Sequence, residues 1–227
     1  MPTRANALAV MAKAPVPGIV KTRLVPPLTK EQAAELFHAL LLDQLDHLAT
    51  LDADLYVAFT PNDAQALFES IVPAGYQCFS QHGSDLGQRM KEVFAELWRR
   101  GHRKLIVIGS DLPPVALNSF AYAFAQLSAV ERRVVIGPSQ DGGYYLIGMN
   151  QPVPEIFSGM TWSHERVLAE TTGKLTALGI NFSILPEWFD IDTVQDIDRL
   201  RTICDPSTRV SMKRTRACLK ELVGFNP

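Results

Sequence analysis

The chain has 227 residues and a formal net charge of −2 at pH 7, which suits one large α/β domain and leaves little room for a second core. The near balance of charges excludes the overall basic field typical of nucleic-acid-binding proteins. No apolar run approaches a membrane span and no secretory signal layout is present, so we expect a cytoplasmic protein. The cysteines Cys78, Cys204 and Cys218 lie far apart, which predicts reduced thiols.

The chain opens with a strand and a positively charged loop. Residues 5–11 are mostly apolar and predict a buried first strand. Residues 12–24 contain too much proline and glycine for a helix or a strand, so we expect a long loop at the carboxyl end of that strand. The loop carries three cations: Lys13, Lys21 and Arg23. Thr29 and Gln32 then have capping-box spacing, and the apolar stripe behind them predicts a helix.

Strands and helices alternate through the middle of the chain. Apolar runs predict strands at 54–59, 75–80, 105–108 and 133–137. Helical patterns occur at 63–71, after Asp85 (which has capping-box spacing with Gln88) and at 115–127. This rhythm argues for a three-layer α/β/α fold with a mostly parallel central sheet.

The run over 105–108 reads as the central strand, because four apolar residues stand together and three are β-branched. It stops at Gly109-Ser110, which leaves Asp111 at its carboxyl end. Ligands of open α/β sheets bind outside the carboxyl ends of strands, so Asp111 could hold a metal over a phosphate. The alternative is that Asp111 caps the following helix. This stretch alone leaves both interpretations open.

A second group of unusual residues follows the strand at 133–137. Asp141-Gly142-Gly143-Tyr144-Tyr145 stands between two strand-like runs, which predicts a hairpin or a turn into an antiparallel strand. Paired glycines let a ligand approach the backbone, and the tyrosines could form walls. A plain hairpin with core tyrosines is the alternative.

The last third of the sequence predicts a helix at 163–178 and a strand at 181–185. Thr193 and Asp196 have capping-box spacing, which predicts the start of a further helix. Asp190 and Asp192 stand just before that helix. From 205 onward the sequence predicts a basic tail helix, for which a solvated face is the favoured interpretation and anion or partner binding the second. Its cations are Arg209, Lys213, Arg214, Arg216 and Lys220.

Three features could converge at one end of the sheet: the cationic loop, Asp111, and the pair Asp190 and Asp192. Separated carboxylates can chelate one Mg²⁺, while Lys21 and Arg23 would neutralise phosphates. Such an arrangement suits group transfer from a nucleotide. The sequence lacks the Walker, G-x-G-x-x-G and G-x-S-x-G motifs, which argues against a P-loop, a classical dinucleotide site and a serine nucleophile elbow.

Several strings of residues run in a specific order from about residue 7 to 203. They are Ala12-Lys13-Ala14-Pro15 to Gly18 with Lys21-Thr22-Arg23-Leu24, 83–90, Gly109-Ser110-Asp111-Leu112-Pro113, Gly137-Pro138 with 141–148, Trp162-Ser163 and Asp190-Ile191-Asp192-Thr193. Together they resemble the GT-A nucleotide-diphospho-sugar transferase superfamily, and most closely its small bacterial arsenosugar-biosynthesis-type glycosyltransferases. The tail after 205 lies outside this resemblance.

The resemblance implies a catalytic domain over 1–204, with a nucleotide-binding half at about 1–112, an acceptor-binding half at about 113–204, and a separate tail at 205–227. It implies catalytic roles for Lys21, Arg23 and Asp111, and Mg²⁺ or Mn²⁺ held by Asp111 and Asp192 with Asp190 beside them. The implied nucleotide-binding residues are Lys13, Gly18, Lys21, Arg23, Gln81, Asp85 and Arg89. The implied sugar or acceptor pocket is Asp141, Gly142, Gly143, Tyr144, Tyr145 and Trp162.

Three functions compete. A second carboxylate is missing at Ser110-Asp111-Leu112, where glycosyltransferases have Asp-x-Asp. This lone Asp, paired with a distant one, and the Lys-Thr-Arg first loop resemble sugar-phosphate nucleotidylyltransferases and the phospholactate guanylyltransferase group. That resemblance favours transfer of a nucleotidyl group from an NTP to a phosphorylated acceptor, with release of pyrophosphate. Glycosyl transfer from an NDP-sugar to a small acceptor is the second hypothesis, and a non-catalytic nucleotide-sugar-binding protein the third. The departures from the family pattern at His164, Val194 and Gln195 bear on acceptor choice. The sequence leaves a monomer and a homodimer open.

Overall fold

Seven strands form one sheet in the computed structural model, which describes residues 4–204 and 211–222. The strands are β1 (Asn6–Lys13), β2 (Asp54–Thr60), β3 (Tyr76–Ser80), β4 (Lys104–Gly109), β5 (Arg133–Pro138), β6 (Tyr144–Met149) and β7 (Asn181–Ile184). Their order across the sheet is β3-β2-β1-β4-β6-β5-β7. Strand β6 runs antiparallel to β4 and β5, and the other pairs are parallel. The predicted mostly parallel sheet with an antiparallel strand is confirmed.

The helices are α1 (Lys30–Leu48), α2 (Gln65–Ile71), α3 (Leu86–Arg99), α4 (Leu117–Gln126), α5 (Val167–Ala177), α6 (Val194–Ile203) and α7 (Lys213–Glu221). The predicted capping box of Thr29 and Gln32 opens α1, and Asp85 accepts from the backbone N–H of Gln88 at the start of α3. One predicted boundary is wrong. Helix α5 starts four residues later than expected, because Ser163 adopts a left-handed backbone conformation that a right-handed helix cannot contain.

Two apolar layers enclose the sheet. On one face, Leu41, Phe68 and Phe120 of the helices α1, α2 and α4 pack against alternate strand residues such as Val10. On the other face, Phe94 of α3 and Leu175 of α5 pack against the intervening residues. Because the central strands are covered on both sides, they read in the sequence as continuous apolar runs. This arrangement is the predicted three-layer α/β/α fold.

A third apolar cluster joins the C-terminal helices to α1. It contains Leu36 and Leu40 of α1, Leu200 of α6 and Leu219 of α7. Arg209, which the sequence assigns to the basic tail, lies outside the described residues. In the parts of the chain that the structure covers, no helix is both long enough and apolar enough to span a membrane.

Candidate active site

A cavity of about 780 Å³ opens at the carboxyl ends of the parallel strands. Lys13 ends β1, Thr60 ends β2, and Gly109 to Asp111 follow β4 into its wall. The cavity has the size of pockets that hold small molecules and cofactors. We call the lining residues up to 111 the donor wall and those from 141 to 167 the acceptor wall, after the halves that the resemblance implies.

Lys21 stands at the junction of the cationic loop and the acidic residues. It adopts a left-handed backbone conformation (φ 49°) directly before a short 3-10 turn over Thr22–Leu24. Its Nζ lies 3.2 Å from Oδ2 of Asp111 and 3.1 Å from Oδ1 of Asp192. Only 4 % of the Lys21 side chain is exposed. The structure thus brings one predicted phosphate-binding cation between two predicted metal ligands.

The charge of Lys21 depends on these two carboxylates. Burial by itself lowers the pKa of a lysine, because a low-dielectric surrounding disfavours the charged form. Asp111 and Asp192 outweigh this effect, and the pKa of Lys21 lies above its ordinary value. Arg23 contributes less to the same cluster: its Nη1 lies 3.2 Å from Oδ2 of Asp192, but 72 % of its side chain is exposed. Lys21 is therefore a fixed cation, whereas most of Arg23 remains in solvent.

The segment of Asp190 and Asp192 docks on the end of β4 through the residue between them. The backbone N–H of Ile191 donates to the carbonyl oxygen of Asp111 at 2.9 Å, and the Ile191 side chain is fully buried. Asp190 accepts a hydrogen bond from the Ser139 hydroxyl at 2.7 Å. Burial and then the charge of Asp111 raise the pKa of Asp190 to about 7, against the Ser139 hydrogen bond and Lys21, which lower it. The three predicted metal ligands therefore form one cluster with excess negative charge.

The donor set of this cluster suits a hard divalent cation only in part. Among residues 4–204 and 211–222, no group of three or more His, Cys, Asp or Glu side chains has the geometry of a metal centre. Mg²⁺, however, is commonly held by one or two carboxylates together with waters and phosphate oxygens. Asp111 and Asp192 offer such oxygens, and Asp190 carries charge that a cation would relieve. These residues fit a divalent cation whose coordination shell is completed by oxygens of the bound ligand. Lys21 would compete with that cation for the same carboxylates.

The remaining predicted nucleotide-binding residues divide into two groups. Lys13, Gln81 and Arg89 line the cavity, whereas Gly18 and Asp85 lie outside its lining. Gln81 is buried, and its side-chain Nε2 donates to the carbonyl oxygen of Ala58 at 2.6 Å. Arg89 holds its own loop by donating from Nε to the carbonyl oxygen of Gly83 at 3.1 Å. Asp85 is engaged as the cap of α3, which is one of its possible roles in the sequence.

In the acceptor wall, the structure places Asp141, Gly143, Tyr144, Tyr145 and Trp162 in the lining. Gly142 lies behind them with φ +86°, and a Cβ there would overlap the carbonyl oxygen of Glu165. The backbone N–H of Leu168 donates to the carbonyl oxygen of Gly142 at 2.9 Å, so the turn is fixed on the start of α5. Only a glycine fits this combination of left-handed backbone and close approach.

Tyr145 and Trp162 both pack closely against glycine backbone. Tyr145 is buried, its ring fills the space that a side chain on Gly137 would need, and its hydroxyl donates to the carbonyl oxygen of Pro186 at 3.2 Å. Trp162 lies against Gly87 in the first turn of α3 in the same way. Burial raises the pKa of Tyr145 to about 12, so its hydroxyl stays protonated. Tyr145 is therefore both a core residue and part of the cavity wall.

Sequence reasoning missed two polar residues behind the acidic cluster. Ser139, the partner of Asp190, is buried directly after the Gly137-Pro138 string. Gln44 is buried on α1, and its Nε2 donates to the carbonyl oxygen of Gly109 at 3.1 Å. Gly109 lies two residues before Asp111. The signal for Gln44 is the pair Asp43-Gln44 within the apolar stripe of α1, which an ordinary core helix would not contain.

Comparison with known proteins identifies the family. Residues 43–164, more than half of the chain, match the family described as uncharacterized protein conserved in bacteria (DUF2064). The chain belongs to the DUF2064 family. This DUF2064 member is also similar to the crystal structure of a candidate nucleotide-diphospho-sugar transferase from Desulfovibrio desulfuricans G20, with 32 % identity over 98 % of this chain and 96 % of that chain and a TM-score of 0.88. The resemblance to the nucleotide-diphospho-sugar transferases is confirmed, and the DUF2064 protein is an enzyme of the transferase class.

More distant structures agree on the fold. A cytidylyltransferase from Leptospira borgpetersenii serovar Hardjo-bovis (strain JB197) shares 15 % identity over 97 % of this chain and 94 % of that chain, with a TM-score of 0.58. A 4-diphosphocytidyl-2C-methyl-D-erythritol synthase shares 13 % identity over 89 % of this chain and all of that chain, with a TM-score of 0.57. No curated protein matches the sequence. These likenesses show the same fold.

Proposed function

We propose that this DUF2064 protein transfers a sugar from a nucleotide-diphosphate sugar to the hydroxyl group of an acceptor that carries no phosphate. The motifs favour nucleotidyl transfer, whereas the distribution of charge in the cavity supports glycosyl transfer. The relative with 32 % identity is described as a candidate nucleotide-diphospho-sugar transferase, a description that is compatible with both reactions.

The observation that carries the proposal is the separation of charges around the cavity. The lysines and arginines of the lining all belong to the part before residue 112: Lys13, Lys21, Arg23 and Arg89. Of the carboxylates from the other part, Asp141 and Glu165 lie in the acceptor wall, whereas Asp190 and Asp192 belong to the cluster around Lys21. Among the described residues, no lysine or arginine from 113 onward lines the cavity. The ring nitrogens of His164 are engaged with Thr161 and with the backbone N–H of Arg166.

This separation disfavours a phosphorylated acceptor. A phosphate monoester carries about −1.5 to −2 charges at pH 7. At about 4 Å, each like charge in the wall would cost roughly 1 kcal/mol in water-like surroundings and up to about 4 kcal/mol near a protein surface. A neutral polyol or a cationic acceptor does not meet this repulsion. Nucleotidyl transfer of the predicted kind requires the phosphate, whereas glycosyl transfer does not.

The donor would be recognised on the opposite wall. Lys21 and Arg23 would bind the diphosphate, with Lys21 as the fixed charge and Arg23 as a mobile fork. A Mg²⁺ or Mn²⁺ ion held by Asp111 and Asp192, with Asp190 beside them, would supply further positive charge to the leaving diphosphate. In the reaction, an acceptor oxygen attacks the anomeric carbon and the bond between that carbon and the β-phosphate oxygen breaks. The nucleoside diphosphate leaves with the electron pair, and the hydroxyl proton passes to a carboxylate of the acceptor wall, Asp141 or Glu165.

Nucleotidyl transfer remains the second candidate, and the geometry of Lys21 supports it. The ammonium group lies between Asp111, which follows β4, and Asp192, which precedes α6. A triphosphate that bound there would place its pyrophosphate next to Lys21 and Arg23. The acceptor phosphate would then have to be bound by the other cations of the donor wall, Lys13 and Arg89.

A ligand screen with a product assay separates the two reactions. Melting temperatures are measured with Mg²⁺ and each of the four NTPs or a panel of NDP-sugars, since a ligand that binds only the native state raises the melting temperature. We expect a metal-dependent shift from an NDP-sugar. Phosphorus NMR of the mixture with polyol acceptors should then show nucleoside diphosphate. A shift from an NTP alone, followed by pyrophosphate release with a sugar phosphate, would establish the second candidate instead.

A further inference from the structure

Asp43 of α1 is a buried carboxylate that serves a helix far along the chain. Only 2 % of its side chain is exposed. Its oxygens accept from the backbone N–H groups of Thr215 at 2.8 Å and Arg214 at 3.2 Å, both in the first turn of α7. Met212, which occupies the capping position of α7, makes no side-chain cap. Because the first N–H groups of a helix lack partners within it, Asp43 supplies the cap that the local sequence does not.

The charge of Asp43 is balanced by this helix. The Arg214 guanidinium contacts Asp43 and also Asp46, which lies one turn further along α1. The positive end of the α7 dipole adds to the stabilisation. A buried carboxylate without such partners is strongly unfavourable. The charge of Asp43 on α1 is therefore compensated only when α7 is in place.

The apolar face of α7 lies in the same cluster as the residues that anchor the predicted catalytic segments. Leu219 of α7 and Leu222, which follows the helix, share this cluster with Leu24 and Ile191. Leu24 directly follows Arg23, and Ile191 separates Asp190 from Asp192. Both Leu24 and Ile191 are fully buried. The two segments that bring Lys21 and Asp192 together therefore rest on one apolar cluster that α7 helps to close.

We propose that α7 is part of the catalytic unit and that Asp43 is a positioning residue. By capping α7, Asp43 stabilises the apolar cluster on which the 21–24 and 190–193 segments pack. It thereby fixes the geometry of Lys21 with Asp111 and Asp192. The sequence had placed this helix in a tail outside the family resemblance. The inference rests on the proposed function only because that function assigns donor binding to these two segments.

The test compares Asp43→Asn with Asp46→Asn in the full-length protein. Both substitutions remove one negative charge next to Arg214 on the same helix, but 49 % of the Asp46 side chain is exposed and it caps nothing. Amide hydrogen exchange is measured without ligand, together with Mn²⁺ binding by electron paramagnetic resonance. We expect Asp43→Asn to accelerate exchange in 213–222, in 21–24 and in 190–193, to leave β1 and β4 protected, and to weaken Mn²⁺ binding on the order of tenfold. Asp46→Asn should match the wild type.

Two outcomes would overturn the proposal. Faster exchange confined to 213–222 would show that α7 is a cover without influence on the site, and unchanged exchange in 213–222 would show that Asp43 does not hold the helix. If Asp43→Asn does not fold, Leu219→Ala removes only apolar contact from the same face and should give the same pattern with a smaller amplitude. The exchange readout needs no nucleotide, so it stays valid if glycosyl transfer proves to be the wrong reaction.

Discussion

The two walls of the cavity are held in place by different means. In the donor wall, charged side chains fix one another: Lys21 is buried against Asp111 and Asp192. In the acceptor wall, Asp141 and Glu165 are exposed, and the backbone fixes them through the close contact of Gly142 with Glu165. The donor wall is therefore preorganised by electrostatics and the acceptor wall by steric fit. Substitutions in the first should change binding and rate, whereas those in the second should change stability and acceptor choice.

The largest effect should come from Asp111→Asn, which removes a charge from the centre of the donor wall. Lys21 loses one of its two carboxylates and the divalent cation loses a ligand, while the shape of the side chain is kept. We expect turnover to fall by about 10²-fold or more, as for lost transition-state electrostatics, and the melting temperature to fall because the buried Lys21 keeps one counter-charge fewer. The assay is release of nucleoside diphosphate in the presence of Mg²⁺. Unchanged turnover would show that Asp111 is not a metal ligand.

Gly142→Ala tests the steric basis of the acceptor wall. Alanine at φ +86° is strained, and its Cβ would overlap the Glu165 carbonyl oxygen. We expect a loss of roughly 1–3 kcal/mol in the free energy of unfolding and a raised KM for the acceptor, with the donor affinity retained. Gly173→Ala in α5 is the matched control, because its Cβ meets nothing within 4 Å. It should leave KM unchanged. A weakened donor affinity in Gly142→Ala would contradict the independence of the two walls.

Asp190 lies where the two walls meet, and its protonation should be visible in the stability of the metal-free protein. Its pKa of about 7 in the folded state is above the ordinary value of 3.8. The folded state therefore holds this proton more tightly, and the resulting stability is present below about pH 4 and lost as the pH rises to about 7. Asp190→Asn, which can still accept from Ser139, should gain on the order of 2 kcal/mol at pH 8 and almost nothing at pH 4.

Urea unfolding in the presence of a chelator at the two pH values measures this difference. An equal gain at both values would mean that packing, and not ionisation, accounts for it.

The fold and most of the donor wall follow from local patterns in the sequence. Apolar runs, the capping box at Thr29 and the twin glycines at 142 and 143 each predict structure within a few residues of themselves. The placement of Lys21 between Asp111 and Asp192 could be expected only as a convergence at one sheet edge, because these partners lie 90 and 171 residues away in the sequence. The polar pair Asp43-Gln44 marks an unusual place in the stripe of α1, but the partners of Ser139, Gln44 and Asp43 could not be predicted, since they lie far away in sequence and share no motif with them.

Lys21→Met should separate two roles of the buried cation, competition with the metal and binding of the diphosphate. We expect smaller effects here, with metal affinity rising and nucleotide-sugar affinity falling. Without the ammonium group, Asp111 and Asp192 face no competitor, so Mn²⁺ alone should bind several-fold more tightly, as expected when an opposing charge leaves a partly buried site. Binding of the nucleotide-sugar should weaken, because the diphosphate loses its fixed counter-charge. Arg23→Met is the control: its side chain is mostly exposed and makes a single contact with Asp192, so both changes should be smaller. Titration of Mn²⁺ by electron paramagnetic resonance, with and without the donor, gives both constants. If Mn²⁺ binds equally to Lys21→Met and to the wild type, Lys21 does not compete with the metal, and the cation must use carboxylate oxygens that Lys21 does not contact.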